Sequence, residues 1–354
     1  MAKSTPAGNS NPGALDALNI PYFEFIEDEA ASVAKVKSWK TALPGRLIVV
    51  CAKGDSSAFV AELLGTAGLP ASNLDGGMTA WGNATVRKPL PCREPLRAWQ
   101  VNRFGKGCLS YLVAAGSDAL IVDPHRRIDD YRLALADLGL RLRGVFDTHL
   151  HADHLSGARA LSEAEGVPYF AHPRDFATAA FDYSPIQDRQ IVSLGGLRVV
   201  SISFLEAPGH TPGSSLLLVN DTFLLTGDAL FIGSVGRPDL GGRAREWAFD
   251  LHRTLTSRMA SLDGRLEVLP AHTSGPAECR PDGTVGESLA ALRRKLPLLS
   301  LDESSFVEEV LAGVGPAPPA YEAIRRINLG RQQVGEEERV ELEIGKNECA
   351  LSRR

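Results

Sequence analysis

The 354-residue sequence predicts an α+β protein in which two sheets stack face to face with helices outside. Three observations carry this expectation. Two short apolar runs, residues 108–114 (CLSYLVA) and 119–123 (ALIVD), meet at a tight turn around Gly116, the pattern of paired strands. Helical patterns, the first over Asp129–Leu138, are interspersed among the later strands. A smaller α/β pattern of different character precedes them all.

Taken in order, residues 1–19 are rich in Gly, Ser, Asn and Pro and read as a flexible start. Residues 46–51 (RLIVVC) are apolar and β-branched, which predicts a buried strand. Ala58–Leu64 follows as a helix closed by Gly65, and Gly76-Gly77 makes a turn. Residues 83–95 hold three prolines and mixed charge and mark a domain boundary. Beyond the first strand pair, a strand is expected at Val145–Thr148 and a helix at Leu155–Glu165. A hairpin at 190–206 turns at Gly195-Gly196. Strands follow at 215–219 and 222–226, a helix at 244–261 and a strand at 266–270. The expected organisation is a small unit over 1–88, a main domain over 97–330, and a charged tail or late edge element over 331–354.

Composition excludes several classes. Hydrophobic residues at 44% and charged residues at 23% are ordinary for a soluble globular chain. A net charge of −5 argues against a dedicated nucleic-acid binder, a nuclease included. No apolar run is long enough to span a membrane, and Met1–Gly13 lacks the apolar core of a secretory signal. The five cysteines are odd in number and none is spaced C-x-x-C, so neither a disulfide framework nor a zinc ribbon is expected. Reduced thiols and a cytoplasmic location fit better.

The chemistry is concentrated in the histidines. Of eight, three lie in Thr148-His149-Leu150-His151-Ala152-Asp153-His154, directly after a strand and before a helix. Imidazole and carboxylate groups on such a loop can build a metal site. His210 sits in Pro208-Gly209-His210-Thr211-Pro212-Gly213, Asp228 closes Thr226-Gly227-Asp228, and His272 closes Pro270-Ala271-His272. A lone histidine is more often a structural hydrogen-bonding residue, but four such elements in this order, each at a strand end, are specific together. His125, His172 and His252 lie outside these motifs and read as ordinary.

The order HxHxDH, PGHTPG, TGD, PAH resembles the metallo-β-lactamase superfamily over roughly residues 97–275. The resemblance implies an αββα sandwich with metal held at one edge. Within the superfamily, THLHADHLSG (148–157) and TGDALFIGSVGRPDL (226–240) look like the persulfide dioxygenases, as do CLSYLV and the Asn328 region. That likeness implies one Fe(II) per chain bound by His149, His210 and Asp228, a set that leaves positions open for dioxygen and substrate. It implies that His151, Asp153, His154 and His272, which hold a second metal in related hydrolases, lie in the surroundings of the iron. The implied substrate is a low-molecular-weight persulfide on glutathione, coenzyme A or another thiol, oxidised with O₂ to sulfite and thiol. A homodimer is expected. Arg237 either orients substrate or pairs with a carboxylate such as Asp239, and Asp123 braces the histidine loop. The alternatives are a two-metal thiolester hydrolase of the glyoxalase II type and a non-catalytic sulfur-binding or redox-sensing module.

Residues 46–82 resemble the second half of a rhodanese domain: a strand ending in Cys51, a loop, a helix, and a Leu-x-Gly-Gly-Met-x-Ala-Trp close. The resemblance places Cys51 at the sulfur-carrier position, where loop N–H groups from Ala52 to Ser56 can stabilise a thiolate. The first strand and helix of such a domain look shortened, and Ser56 stands where many relatives have Arg. Cys51 is therefore either a sulfurtransferase nucleophile or inert. Cys92, Cys108, Cys279 and Cys349 show no comparable loop and read as buried or bystander thiols.

Overall fold

The computed structural model describes residues 17–41, 45–196, 200–345 and 347–351. The flexible start expected over 1–19 falls almost wholly outside them. The chain divides into two compact units, Met1–Asn83 and Ala84–Arg354.

The N-terminal unit runs α1 (Tyr22–Glu27), α2 (Glu29–Thr41), β1 (Leu47–Val49), α3 (Asp55–Thr66), β2 (Ala71–Asn73) and α4 (Gly77–Asn83). β1 and β2 form a parallel two-stranded sheet, and Phe25, Val36, Val60 and Leu64 make a small core. The expected buried strand at 46–51 is shorter and less buried than its composition suggested. With only β2 beside it, Ile48 remains 60% exposed.

The second unit holds two sheets. The first takes β3 (Thr85–Leu90), β4 (Leu96–Arg103), β5 (Cys108–Ala115), β6 (Asp118–Val122), β7 (Arg141–Phe146), β8 (Tyr169–Ala171) and β9 (Ser184–Pro185) in that order. Hairpins make β3 to β6 antiparallel. Crossovers through α5 (Ile128–Leu138) and α6 (Ala158–Glu165) make β6 to β9 parallel; α7 (Pro173–Phe176) lies between β8 and β9. The second sheet takes β10 (Ile191–Leu194), β11 (Val200–Glu206), β12 (Ser215–Val219), β13 (Phe223–Gly227), β14 (Glu267–Pro270) and β15 (Glu287–Ser288). The remaining helices are α8 (Ala244–Arg253), α9 (Leu289–Lys295), α10 (Glu303–Gly313), α11 (Ala320–Asn328) and α12 (Glu336–Leu342).

The layers follow from alternation along β5, all of whose residues are buried. Leu109, Tyr111, Val113 and Ala115 join the core shared with Phe204, Leu217 and Leu225 of the second sheet. Leu112 and Ala114 point the other way, against Tyr131 and Leu135 of α5 and Leu161 of α6. α8 and α10 complete the opposite side through Leu251 and Phe306. Full burial of one such leucine contributes about 1.5–3 kcal/mol. The result is the expected α+β sandwich. Among the described residues no helix is long and apolar enough to cross a membrane.

Two expectations are corrected. The helix at 155–165 begins at Ala158, because Ser156 Oγ donates to Asp147 and accepts from the Ala158 N–H. The helix at 244–261 is α-helical only to Arg253 and continues as one π turn, Thr254–Arg258. The charged segment over 331–354, expected as a tail or a late edge element, is held to the rest of its unit where it is described. It carries α12, buries Glu343 and Cys349, and runs beside residues 235–237, with Arg237 N–H donating to Cys349 O and Leu351 N–H to Val235 O.

Candidate metal centre

Every motif residue emerges just past a strand. His149 follows β7, His210 follows β11, Asp228 follows β13 and His272 follows β14. Gly227 holds a left-handed φ of 52°, and a Cβ there would sit 2.6 Å from Thr148 Oγ1, so the two loops approach through a glycine.

His149, His210 and Asp228 are fully buried, and their donor atoms lie within 4.8 Å of one another. His149 Nε2 and His210 Nε2 are each 3.6 Å from Asp228 Oδ2. The hydrogen bonds behind the rings set the tautomers. His210 Nδ1 lies 2.9 Å from the Arg237 carbonyl, which can only accept, so Nδ1 carries the proton. Thr148 Oγ1 donates to Asp123 and lies 3.0 Å from His149 Nδ1, which therefore donates to it. Both Nε2 atoms are left with lone pairs, and neither they nor Asp228 Oδ2 has a hydrogen-bond partner. Burial holds both imidazoles below their ordinary pKa, His149 well below, so both are neutral. Burial would raise Asp228, but His272 beside it leads the effects that hold it below the ordinary carboxylate range. Three buried acceptors converge with no donor between them. A divalent cation answers that arrangement, and the set suits one.

The other motif residues are arranged differently. His151 groups with Asp123 and Asp147. Its Nε2 lies 3.1 Å from Asp123 Oδ1 and 3.7 Å from Asp147 Oδ1, and these carboxylates outweigh burial to hold the ring well above its ordinary pKa. Asp123 lies beneath the histidine loop and is hydrogen-bonded to Thr148 and His151. At a strained φ of 51° it accepts from the Thr148 N–H and hydroxyl as well. Asp153, His154 and His272 group with Cys108. His272 bridges two carboxylates, Nδ1 at 2.7 Å from Asp228 Oδ1 and Nε2 at 2.8 Å from Asp153 Oδ2. Both ring nitrogens thus face acceptors. Burial is overcome by the two carboxylates, which hold His272 well above its ordinary pKa. His154 is likewise raised to about 9 against burial, by Cys108 and Asp153.

Arg237 pairs with Asp239. Its Nε and Nη2 clamp Asp239 at 2.7 and 2.8 Å, Nη1 donates to Glu348 O, and Nη2 also reaches Gly315 O. All three nitrogens are engaged and the residue is buried, which is the pairing with Asp239 expected as the alternative to a substrate contact.

Sequence reasoning missed Asp147, Asp175 and Asn347, and read Cys349 only as a buried or bystander thiol. Asn347 Nδ2 donates to Asp153 Oδ2 at 2.6 Å, and Cys349 Sγ groups with Asp153 and Asp228. Asn328, noticed only as part of a resemblance, donates to the carbonyls of His151 and His154 and accepts from the Ser156 N–H. Cys108, read as a bystander, has its Sγ 3.9 Å from Asp153 Oδ2. In the N-terminal unit, Cys51 Sγ accepts from Gly54 N–H at 3.0 Å and Ser57 Oγ at 3.2 Å. The Ser57 hydroxyl leads the effects that lower its thiol to about 7.

An αββα sandwich with clustered histidines and aspartates at the strand ends defines a metal-dependent enzyme. Residues 103–299, more than half of the chain, match the metallo-beta-lactamase superfamily, and the chain belongs to it. It is 36% identical over 233 residues to a hydroxyacylglutathione hydrolase of Anaeromyxobacter dehalogenans, covering 64% of this chain and 82% of that protein. It is 30% identical over 158 residues to the mitochondrial persulfide dioxygenase ETHE1 of Bos taurus, covering 44% of this chain and 59% of that protein. Among solved structures, ETHE1 from Myxococcus xanthus superposes with a TM-score of 0.57 at 25% identity, covering 66% of this chain and 98% of that one. Both branches are thus represented among its relatives. The N-terminal α/β unit lies outside the family match.

Proposed function

We propose that this chain acts at the sulfur of a low-molecular-weight thiol conjugate, and that it oxidises a persulfide with dioxygen using one ferrous ion held by His149, His210 and Asp228. The observation that supports this reading is the convergence of three partnerless acceptor atoms, two imidazole nitrogens and one carboxylate oxygen, in one buried group. A ferrous ion in such a set supplies the redox step and open positions for O₂ and sulfur. The overall change balances as R–S–SH + O₂ + H₂O giving R–SH, sulfite and two protons.

The chain's own residues prepare the site. Thr148 and the Arg237 carbonyl fix the tautomers of the two imidazoles, and Asp123 anchors Thr148. Ala152, Phe231 and Tyr321 form a buried apolar cluster with Cys349, whose thiol groups with Asp153 and Asp228, and such a wall keeps water out. The thiol carrier is glutathione or coenzyme A, and the assembly is a homodimer in the cytoplasm. Cys51 is proposed as an accessory sulfur carrier, supported by the two hydrogen bonds to its sulfur.

A second reading has its own support. The hydrolase relative is the more similar in identity and in coverage, and Cys108, Asp153, His154 and His272 offer a second buried donor group beside the first. With two metals bound, the chain would cleave a glutathione thiolester with water. Anaerobic purification with metal analysis, followed by oxygen uptake on glutathione persulfide and thiolester cleavage on S-lactoylglutathione, separates the readings. About one iron per chain with oxygen-dependent sulfite is expected. Two zinc ions per chain with oxygen-independent thiolester cleavage would replace the first reading by the second.

A further inference from the structure

We propose that Asp175 is a positioning residue that fixes the separation of the two imidazole ligands. The inference rests on the reading of His149 and His210 as ligands. These residues sit on separate loops, one following a strand of each sheet, so their spacing is not set by either strand alone. Asp175 joins the loops with one carboxylate. Its Oδ2 accepts from the Leu150 N–H at 2.9 Å, next to His149, and from the Thr211 hydroxyl at 2.6 Å, next to His210. Its Oδ1 accepts from the Gly213 N–H at 2.7 Å, on the far side of the same turn.

Two further features show a built contact. A Cβ on Gly213 would lie 2.6 Å from Asp175 Cγ, so the turn can approach the carboxylate only as glycine. The short helix α7 that carries Asp175 is also fixed from its other end. His172 caps it by accepting from the Arg174 N–H, and its Nε2 lies 3.2 Å from Glu206 Oε1, at the end of the strand leading to His210.

All three partners of Asp175 are donors, which makes the carboxylate specific. An asparagine of the same shape would turn an amide N–H₂ against one of them. Groups that orient ligands in this way typically change metal affinity by about 10–100-fold when removed.

The test uses the full-length, metal-free protein titrated with Co(II) in competition with a chromophoric chelator. Asp175→Asn is compared with wild type and with His149→Ala, and circular dichroism reports the fold. Asp175→Asn is expected to bind Co(II) about 10–100-fold more weakly and to change its visible ligand-field spectrum, with the fold retained. Unchanged affinity and spectrum in that variant would overturn the inference, since a residue serving only stability would leave both unmoved in the folded molecules. Should Asp175→Asn fail to fold, Thr211→Val deletes one donor without changing shape. A smaller loss of affinity there supports the inference, and none overturns it. Failure of the underlying reading is recognisable separately: His149→Ala would then bind Co(II) as wild type does, which sinks both.

Discussion

Replacing Glu343 with alanine should cost more stability than any surface substitution on this chain, because it strips a buried cation of its counter-charge. The Arg103 and Glu343 side chains are 3% and 2% exposed. Arg103 donates to both carboxylate oxygens at 2.9 and 2.8 Å, Arg126 Nε donates at 2.8 Å, and the Leu155 N–H completes the set at 2.9 Å. Burial alone would raise the Glu343 pKa, but the Arg103 hydrogen bonds and charge overcome it and hold the carboxyl at about 2. A carboxyl held at about 2 instead of 4.5 is favoured in its charged form by about 3 kcal/mol, at 1.36 kcal/mol per tenfold. Breaking a buried pair by removing one partner gives a similar figure, about 3–5 kcal/mol. Urea unfolding at neutral pH should show that loss in Glu343→Ala. The sign of the pH dependence is also fixed. A depressed carboxyl contributes fully above its ordinary value and loses the contribution as pH falls toward the folded value. The gap between wild type and variant should be level at neutral pH and narrow below about 4.5. A loss under about 1 kcal/mol, the range of exposed pairs, would refute the reasoning.

Asp228→Asn keeps the shape of the side chain but replaces the charge between two lone pairs, so purified protein should carry no metal at the first site. Elemental analysis against wild type checks this, and full metal retention would contradict the ligand set. Cys51 should alkylate with iodoacetamide at a rate that is half-maximal near about pH 7, since Ser57 leads the effects that lower its thiol. Ser57→Ala should shift that midpoint upward, and an unmoved midpoint would show that the hydroxyl is not the cause.

What the sequence disclosed was whatever is local in the chain. The strands at 108–114 and 119–123 were legible because both faces of β5 are covered and its apolar run is unbroken. The histidine loop was legible because its residues are adjacent. β3 was not, because Thr-Val-Arg-Lys-Pro-Leu reads as a boundary, yet an edge strand tolerates its proline and charges. The strand at 46–51 was read as buried because apolar content reports a tendency, while burial needs neighbours that a two-stranded sheet lacks. The tail left two readings open for the opposite reason. Its charge-rich composition does not show which residues are buried, and the partner of Glu343, Arg103, lies 240 residues away. Asp175 and Asn347 carry no local signature at all, since their meaning is a contact with loops far along the chain.

Whether a second cation joins the first turns on which acceptors the protein already satisfies. At the first group the facing atoms are unsatisfied: the hydrogen bonds run behind the rings, to Thr148 and Arg237, and these atoms repel unless a cation sits among them. At the second group His272 Nδ1 is hydrogen-bonded to Asp228 Oδ1 and Asn347 donates to Asp153 Oδ2, while Asp153 Oδ1, His154 Nε2 and His272 Nε2 have no hydrogen-bond partner. A metal there competes with the Asn347 amide for Asp153 Oδ2, a donor that the first position lacks. His151 is drawn the same way, toward Asp123 and Asp147. The carboxylates around the histidine loop therefore do more than support it. By engaging His151 and His272 they leave the facing atoms of His149, His210 and Asp228 without a hydrogen-bond donor.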